Sequence, residues 1–342
     1  MAGKRVLVRS DLNVPLEDGR VADDTRIRAS LPTLQLLLDR GANEVLGRPK
    51  GPDPKYLVEP VRARLRELLP DERIVVLENT RFDPRETEDD VEYARELADG
   101  SDVYVNDAFG SAHRAHASTH AIATILHAFA GLLLEQELEM LGRLLGDVER
   151  PFVLISGGAK VEDKLGVLRN LGGRADEVLV GGKMAEEIRE SNPLEFPIVL
   201  PKDVVAASAF VEDAETKVVP YDALPEGWLG LDIGPETSRD FGVRIRRSKT
   251  VFWNGPMGVF EWPRFAEGTR AVAQAVSEVD GYTVVGGADS ARALHELELA
   301  DRVDWVSTGG GASLELLEGK DLPGVLAIPE ADERSESVRG PN

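Results

Sequence analysis

Five short apolar runs in the second half of the chain each lead directly into a loop of glycines and other small residues. The five segments are Ile155-Ser-Gly-Gly-Ala-Lys160, Val180-Gly-Gly-Lys183, Trp253-Asn-Gly-Pro-Met-Gly258, Val285-Gly-Gly-Ala-Asp-Ser290 and Ser307-Thr-Gly-Gly-Gly-Ala-Ser313. A single glycine pair after a strand is usually a tight turn. Five such loops on one edge of a parallel sheet favour phosphate or nucleotide binding, because glycine lets backbone N–H groups approach phosphate oxygens.

Two lysines and one aspartate stand where these loops lead into predicted helices. Lys160 and Lys164 are four residues apart at a helix start, where the helix dipole disfavours cations unless an anion lies nearby. Asp289 is placed either to cap its helix or to hold the Mg²⁺ of a bound phosphate. The chain contains neither G-x-x-x-x-G-K-[ST] nor G-x-G-x-x-G, which disfavours a Walker-type ATPase and a standard dinucleotide-binding dehydrogenase.

In the first half of the chain, the loops that follow the predicted strands are rich in arginine and polar residues. They read Arg9-Ser-Asp-Leu-Asn13, Glu78-Asn-Thr-Arg-Phe82 and Asn106-Asp-Ala-Phe-Gly-Ser-Ala-His-Arg114, and similar junctions hold Arg26 and Arg48. Arginines that converge on one sheet edge in a chain of net charge −21 predict a small anionic substrate.

The elements that must position these residues alternate between short apolar runs and amphipathic stretches, which is typical of an α/β protein with mostly parallel strands. Predicted strands are Arg5–Arg9, Ile74–Leu77, Val103–Val105, Phe152–Ile155, Glu177–Val180, Thr250–Trp253, Thr283–Val285 and Trp305–Ser307. Predicted helices include Arg26–Asp39, Val58–Leu69, Val91–Ala98, Leu132–Leu145, Val161–Arg169, Phe265–Val279 and Ser290–Leu297.

The helix predicted over Leu132–Leu145 marks the domain boundary, because Gly146 and Pro151 stop it before a new strand begins. We therefore expect an N-terminal domain over 1–130, a hinge helix within 131–149 and a C-terminal domain over 150–329. A polar tail without periodicity follows over 330–342.

Composition removes several functional classes. The 342 residues include 40 Lys and Arg against 61 Asp and Glu, and so acidic a surface disfavours nucleic-acid and membrane partners. The absence of cysteine excludes disulfides, thiolate metal sites and a cysteine nucleophile. No apolar run approaches the roughly 20 residues of a spanning helix, and the N-terminal apolar stretch is too short for a signal peptide, so the expected compartment is the cytoplasm.

His116 and His120 have metal-ligand spacing but no carboxylate partner, which favours ordinary histidines over a zinc site.

These loops, in this order, resemble those of phosphoglycerate kinase over nearly the whole chain. The resembling segments are Val6-Leu-Val-Arg-Ser-Asp-Leu-Asn-Val-Pro15, Asp23-Asp-Thr-Arg-Ile27, Gly47-Arg-Pro-Lys-Gly51, Leu77-Glu-Asn-Thr-Arg-Phe82, Val103–Ser118, Gly157-Gly-Ala-Lys-Val161, Gly230-Leu-Asp-Ile-Gly-Pro235, Trp253–Glu261, Gly286–Ser290 and Ser307–Leu317. The resemblance implies two Rossmann-like parallel-sheet domains joined by a hinge helix, which closes a 3-phosphoglycerate domain against a domain for Mg-ATP or Mg-ADP. It also implies a monomer.

The resemblance also assigns roles to residues. The 3-phosphoglycerate site would comprise Asp11, Asn13, Arg26, Arg48, Arg81 and Arg114. The nucleotide site would comprise Lys164, Gly181, Gly182, Asn254, Glu261, Gly287, Ala288, Asp289, Ser290, Gly309, Gly310 and Gly311, with Asp289 holding Mg²⁺. Arg26 and Lys160 would be catalytic, because the ionised carboxylate acceptor needs no general base and the transferring phosphoryl group needs positioning and charge neutralisation.

The chain also departs from the family pattern. A Ser-His-Leu segment is missing before Gly47, which removes a substrate-binding histidine and shortens or deletes its strand. A strand–helix excursion is missing between Leu69 and Ile74, and a helix with its following segment is compressed into Ala185–Phe196. Lys183 and Ala288 each replace a glycine of the family. A naturally compact enzyme, a deliberately shortened sequence and a sequence with segments left out all fit this pattern.

Two other functions remain open at this point. A non-catalytic nucleotide-binding relative would keep the glycine loops and lose productive substrate geometry. A different α/β phosphotransferase would act on another anionic metabolite, and the set of Arg26, Arg48, Arg81 and Arg114 argues against it.

Overall fold

The computed structural model describes residues 2–42, 44–47 and 58–329. Arg48 and the predicted tail lie outside the described residues. The chain forms two compact units. The first comprises residues up to Glu139 together with the segment from Asp321 onward, and the second comprises Met140–Lys320. The functions assigned above to the two predicted domains stay predictions.

The first unit is built on a parallel sheet with the strand order β5-β4-β1-β6-β7. Its strands are β1 (Arg5–Ser10), β4 (Glu44–Gly47), β5 (Ile74–Val76), β6 (Val103–Asp107) and β7 (His127–Ala130), and β2 (Leu16–Glu17) and β3 (Arg20–Val21) form a small hairpin. The helices are α1 (Thr25–Asp39), α2 (Glu59–Leu68) and α3 (Val91–Ala98), and α4 (Leu132–Leu145) runs from this unit into the next.

Side chains of β1 alternate between two apolar cores, as a strand covered on both faces requires. Val6 and Val8 pack with Ile27 of α1, whereas Leu7 packs with Tyr104 and the helix α3. Residues 321–329 also pack on this unit, since Asn106 Nδ2 donates to the Gly324 carbonyl at 3.0 Å.

The second unit is built on a parallel sheet with the strand order β15-β14-β13-β8-β9. Its strands and helices are β8 (Phe152–Ser156), α5 (Leu165–Gly172), β9 (Glu177–Val180), α6 (Lys183–Glu190), β10 (Asp203–Ala207), β11 (Thr216–Pro220), β12 (Leu229–Ile233), α7 (Pro235–Arg246), β13 (Thr250–Asn254), α8 (Glu267–Val276), β14 (Tyr282–Gly286), α9 (Ala288–Glu296), β15 (Trp305–Val306) and α10 (Gly311–Leu317). The short helix α11 (Pro323–Leu326) belongs to the first unit.

Most predicted strands and helices are present, and the predicted α/β class with parallel sheets is confirmed. The helix Leu132–Leu145 has the predicted bounds. The helix predicted from Val161 begins at Leu165, because Glu162–Lys164 form a 3₁₀ turn first. The antiparallel sheet β11-β10-β12 was not predicted, because β11 is mostly exposed and lacks an apolar face.

The parallel sheet of the first unit is intact, although the chain is shorter than the family pattern both before Gly47 and between Leu69 and Ile74. The strand expected to be shortened or absent is retained as β4, which pairs with β1 over four residues. Between α2 and β5, the chain turns within a few residues, and the Asp71 carboxylate accepts from Arg73 at 2.6 Å. This guanidinium lowers the pKa of Asp71 to about 2.

Candidate active site

The strands of the second unit end at the same level, which brings their glycine loops together. Asn254 at the end of β13 is in register with Ser156 of β8 and with Gly286 of β14. Ser156 is in turn in register with Val180, the last residue of β9. The loops that follow these strands therefore emerge side by side at the carboxyl edge of the sheet, where open α/β folds bind ligands.

These loops surround a cavity of about 560 Å³. Most residues predicted to bind the nucleotide lie on its wall, namely Lys164, Gly182, Asn254, Glu261, Gly287, Ala288, Asp289 and Gly310. Gly181 and Gly309 lie in the same loops, and Ser290 and Gly311 lie in the first turns of the helices that follow; none of these four is on the described wall. Lys160 is exposed on the loop after β8. The cavity has the size of a small-molecule site.

Lys164 is held by hydrogen bonds to two of these loops. Its ammonium group donates to the Gly157 carbonyl at 2.5 Å and to the Asn254 carbonyl at 2.9 Å. Burial lowers the pKa of Lys164 to about 8, although Asp289 and Asp163 act in the opposite direction. Among the described residues this buried cation has carbonyl partners and no carboxylate in hydrogen-bond contact, so it is well placed for an anionic ligand.

Gly255 lies where two of these loops and Lys164 approach one another closely. Its φ of +96° is disfavoured for L side chains. A Cβ at this position would lie 2.1 Å from Lys164 Nζ and 2.3 Å from the Gly157 carbonyl oxygen. The Gly255 amide donates to Ser290 Oγ at 2.7 Å, so Ser290 supports the loop from beneath. Glycine is therefore required here to let Lys164 reach the cavity.

The loop after β14 presents Asp289 to the cavity. Gly287 takes up the backbone turn with a φ of +86°, and Ala288 begins α9, so the alanine that replaces a family glycine is accommodated in a helical conformation. Asp289 is exposed in the first turn of α9. Glu261, on the same cavity wall, forms an ion pair with Arg292 at 3.1 Å.

The other end of the cavity is apolar, and sequence reasoning missed it. This end is lined by Phe210, Leu229, Leu231 and Val259. The ring of Phe210 packs at a tilt against that of Trp262, with 4.9 Å between the ring centroids. Leu229 and Leu231 belong to β12 of the antiparallel sheet, and Phe210 lies in the loop between β10 and β11. Without that sheet in the prediction, no sequence signal placed these residues at the site.

Two charged residues of α6 also line the cavity and were not among the predicted site residues. Lys183 is the first residue of α6 and Glu186 follows one turn later. Burial raises the pKa of Glu186, whereas Lys183 and the Gly230 amide act to lower it. Glu186 therefore lies close to both of these groups.

In the first unit, Arg26 is held by the loop that follows β1. Its guanidinium donates to Asp11 Oδ2 at 3.1 Å and to the Asn13 carbonyl at 3.4 Å. The Asn13 amide donates to the other Asp11 oxygen at 3.3 Å. The Arg26 side chain is 34% exposed, so it remains open to a ligand.

Three further arginines of this unit influence one another. The pKa of Arg81 is lowered by burial and by the positive charges of Arg114 and Arg9. Buried Arg9 donates to Ser118 Oγ at 2.8 Å, and Ser118 donates through its hydroxyl to Glu86 at 2.6 Å. Arg114 donates to His113 Nε2 at 3.0 Å. Cations brought together in this way favour an anion as their partner.

The two histidines with metal-ligand spacing each lie near a carboxylate, which the sequence analysis did not expect. His120 Nδ1 lies 2.6 Å from Asp89 Oδ2, and His116 Nδ1 lies 3.9 Å from Glu86 Oε1. Within residues 2–42, 44–47 and 58–329, no group of three or more His, Asp or Glu side chains could hold a metal ion. No described helix is long and apolar enough to cross a membrane.

The glycine-walled cavity of the second unit and the neighbouring arginines of the first are the features expected of a two-domain α/β phosphotransferase. The family model for phosphoglycerate kinase matches residues 1–72, 69–193 and 185–320. The chain belongs to the phosphoglycerate kinase family.

Individual relatives support this membership. The chain is 50% identical to the phosphoglycerate kinase of Roseiflexus castenholzii over an alignment of 384 residues, covering 96% of this chain and 97% of the relative. It is 49% identical to that of Rubrobacter xylanophilus, covering 97% of both chains. The structure of phosphoglycerate kinase from Coxiella burnetii superimposes with a TM-score of 0.84 at 34% identity, covering 97% of both chains.

The comparisons also show where this chain is shorter. An alignment of 384 residues exceeds the 342 residues of this chain, so the relative has segments that this chain lacks. Successive matched segments of the family model meet at residues 69–72 and 185–193. These are two of the places where the sequence analysis expects missing segments. The glycine loops of the cavity lie outside both junctions.

Proposed function

We propose that this protein catalyses reversible phosphoryl transfer between ATP and 3-phosphoglycerate, giving ADP and 1,3-bisphosphoglycerate. The observation that carries the proposal is the glycine-walled cavity of the second unit, which Lys164 and Asp289 both line, in a member of the phosphoglycerate kinase family. The reaction transfers a phosphoryl group to a carboxylate, and its class is therefore that of a phosphotransferase with a carboxyl acceptor.

The nucleotide phosphates would lie against the loops that begin at Gly157, Gly255 and Gly287, with Lys164 donating to a phosphate oxygen. Asp289 fits a role in holding Mg²⁺, because its carboxylate is exposed on the cavity wall beside Lys164. Mg²⁺ bound with phosphates needs one or two protein carboxylates and completes its shell with water, so a larger acidic cluster is unnecessary. When bound, the ion would neutralise charge on the donor phosphates.

The acceptor would bind to the arginine cluster of the first unit. Asp11 fixes Arg26, and the pKa of Arg81 is lowered by burial and by the nearby charges of Arg114 and Arg9, which favours an anionic ligand. Because a carboxylate is already ionised at pH 7, the reaction needs no general base. Arg26 and Lys160 are proposed to stabilise the transferring phosphoryl group.

Turnover of MgATP with 3-phosphoglycerate, coupled to reduction of the acyl phosphate formed, tests this proposal at low and high KCl. Turnover that depends on both substrates supports it, and the response to KCl would show what the net charge of −21 does for activity. ADP binding without any 3-phosphoglycerate-dependent turnover would instead indicate a non-catalytic nucleotide-binding relative. The missing substrate-binding histidine is the reason for considering that alternative.

We also propose that the protein acts as a monomer in the cytoplasm, without nucleic-acid or membrane partners. The net charge of −21 supports the last two points, because phosphate backbones and anionic lipids repel such a surface. Sedimentation velocity at micromolar concentration tests the first point, and a sedimentation coefficient of a dimer would contradict it.

A further inference from the structure

The apolar end of the cavity carries a pair of opposite charges that the proposed function leaves unused. Lys183 and Glu186 both line the cavity and lie three residues apart on α6, so they occupy neighbouring positions on the helix surface. Lys183 is exposed, whereas Glu186 is partly buried and accepts a hydrogen bond from the Gly230 amide. A carboxylate can accept several hydrogen bonds, so a ligand with donor groups would use the acceptor sites that remain on Glu186.

The position of Glu186 within the cavity is fixed by β12. Its carboxylate lies against Gly230. In the sequence of β12, Gly230 stands between Leu229 and Leu231, which both line the cavity. These leucines and Phe210 form the apolar end, whereas Lys164 and Asp289 lie at the phosphate end. A nucleotide with its phosphates on the glycine loops would therefore place its base between the leucines and Phe210, with an edge toward Glu186.

The hydrogen-bonding edge of the base decides which nucleotide suits this pair. A carboxylate only accepts hydrogen bonds, and an ammonium group only donates them. Guanine offers two adjacent donors, N1–H and the N2 amine, and next to them the acceptor O6. Adenine offers a carboxylate its N6 amine alone. The pair is therefore more complementary to guanine than to adenine.

We propose that Glu186 and Lys183 select the base of the nucleotide, and that this enzyme binds guanine nucleotides at least as tightly as adenine nucleotides. The inference rests on the proposed function for the assignment of this cavity to the nucleotide. Glu186 accepts from N1–H and the N2 amine, and Lys183 donates to O6. Neither residue touches the transferring phosphoryl group, so both act on specificity.

Calorimetric titration of the intact protein with ADP, GDP and IDP tests this proposal. We expect the Kd for GDP to equal or fall below that for ADP in the native protein. Glu186→Gln should weaken GDP binding at least about tenfold, because the amide that replaces the carboxylate turns an NH₂ donor toward one of the two donors of guanine. ADP binding should change less than threefold. IDP, which lacks the N2 amine, should lie between the two nucleotides.

Two further variants separate base selection from general damage. Lys183→Met removes the donor for O6 and should weaken GDP and IDP alike. Glu195→Gln changes an exposed glutamate that follows α6 and lies outside the cavity wall, and it should leave all three affinities unchanged. A native protein that binds ADP far more tightly than GDP, or a GDP-to-ADP ratio that Glu186→Gln leaves unchanged, would overturn the proposal.

These measurements separate the inference from the proposed function. The binding titrations need no 3-phosphoglycerate, so they give the base preference even if the coupled assay shows no turnover. A protein that turns over MgATP but fails the GDP test keeps its proposed function and loses only the base selection. A protein that binds none of the three nucleotides contradicts both.

Discussion

The two units build their candidate sites from different materials. In the second unit, strands that end in register place backbone loops around the cavity, and glycine makes the close approach possible. In the first unit, arginine side chains form the site, and other side chains such as Asp11 and Ser118 hold them. A site made of backbone is therefore sensitive to an added Cβ, whereas a site made of side chains is sensitive to the loss of a supporting group.

The largest expected effect is a loss of kcat when the positive charge of either proposed catalytic residue is removed. Lys160→Ala and Arg26→Ala should each lower kcat on the order of 10²-fold or more and change KM far less, because their charges act in the transition state. Steady-state kinetics with each substrate varied checks this. A Lys160→Ala enzyme with a near-normal kcat would remove Lys160 from the catalytic residues.

Each of these substitutions has a matched control in its own unit. Arg28 lies on the same helix as Arg26 and pairs with Asp24 at 2.8 Å. Lys202 of the second unit pairs with Asp240 at 3.0 Å and lies outside the cavity wall. Arg28→Ala and Lys202→Ala should leave kcat unchanged. Equal losses in the controls would indicate general damage to the fold and not lost transition-state stabilisation.

A Cβ at Gly255 tests the backbone-built site directly. Gly255→Ala would strain a φ of +96° and push Lys164 Nζ from its place, 2.1 Å away. We expect nucleotide affinity to fall by at least about tenfold, together with a stability loss of about 1–2 kcal/mol from backbone strain. Gly227→Ala has a φ of +77° with no atom within 4 Å of the new Cβ, so it should lose stability alone. Equal ADP affinities in the two variants would contradict this account.

The backbone-built site was also the one that the sequence predicted better. Strand ends and glycines are both local features, so apolar runs followed by Gly-Gly were sufficient to place Lys164, Asn254 and Asp289 at one edge. The helix Leu132–Leu145 was likewise predicted with its observed bounds, because Gly146 and Pro151 are local stop signals. Local signals of this kind survive even where whole segments of the family are missing.

Features that depend on long-range packing were missed. Phe210, which is 61% exposed, carries no periodic signal, and its place at the cavity depends on the antiparallel sheet. Arg9 reaches Ser118 across 109 residues of sequence, and Ser118 in turn reaches Glu86 across 32, so spacing could not reveal this support. Ser290, predicted from the family, is buried in the first turn of α9 and accepts from the Gly255 amide, which shows that a motif position does not specify whether a side chain meets the ligand.

The side-chain-built site is tested by weakening one of its supports. Glu86 is fully buried and accepts from the Ser118 amide at 3.1 Å and its hydroxyl at 2.6 Å. In Glu86→Gln an amide NH₂ would face a donor, which should lower the free energy of unfolding by about 1–3 kcal/mol and raise KM for 3-phosphoglycerate several-fold. Denaturant unfolding and kinetics check both effects. Glu96→Gln, at an exposed pair with Arg85, should change neither quantity.

The effect that should develop most gradually is a dependence of nucleotide affinity on pH. Lys164 has a pKa of about 8 without ligand, and a bound phosphate would raise it toward its ordinary value of 10.5. Above pH 8, binding must therefore take up a proton, and ADP affinity should fall by up to about tenfold per pH unit. Calorimetry between pH 7.5 and 9.5 measures this slope. Lys164→Met should remove it, whereas Lys160→Met should retain it.

The same group gives the opposite slope in stability, which makes the prediction sharper. The folded-state pKa of about 8 lies below the unfolded value near 10.5, so between these values the unfolded chain binds more protons. The free energy of unfolding of the ligand-free protein should therefore gain a contribution that rises with pH across that window, while ADP affinity falls. Lys164→Met should abolish both slopes together. If the variant loses only one of them, the buried ammonium of Lys164 is not the group that couples proton uptake to phosphate binding.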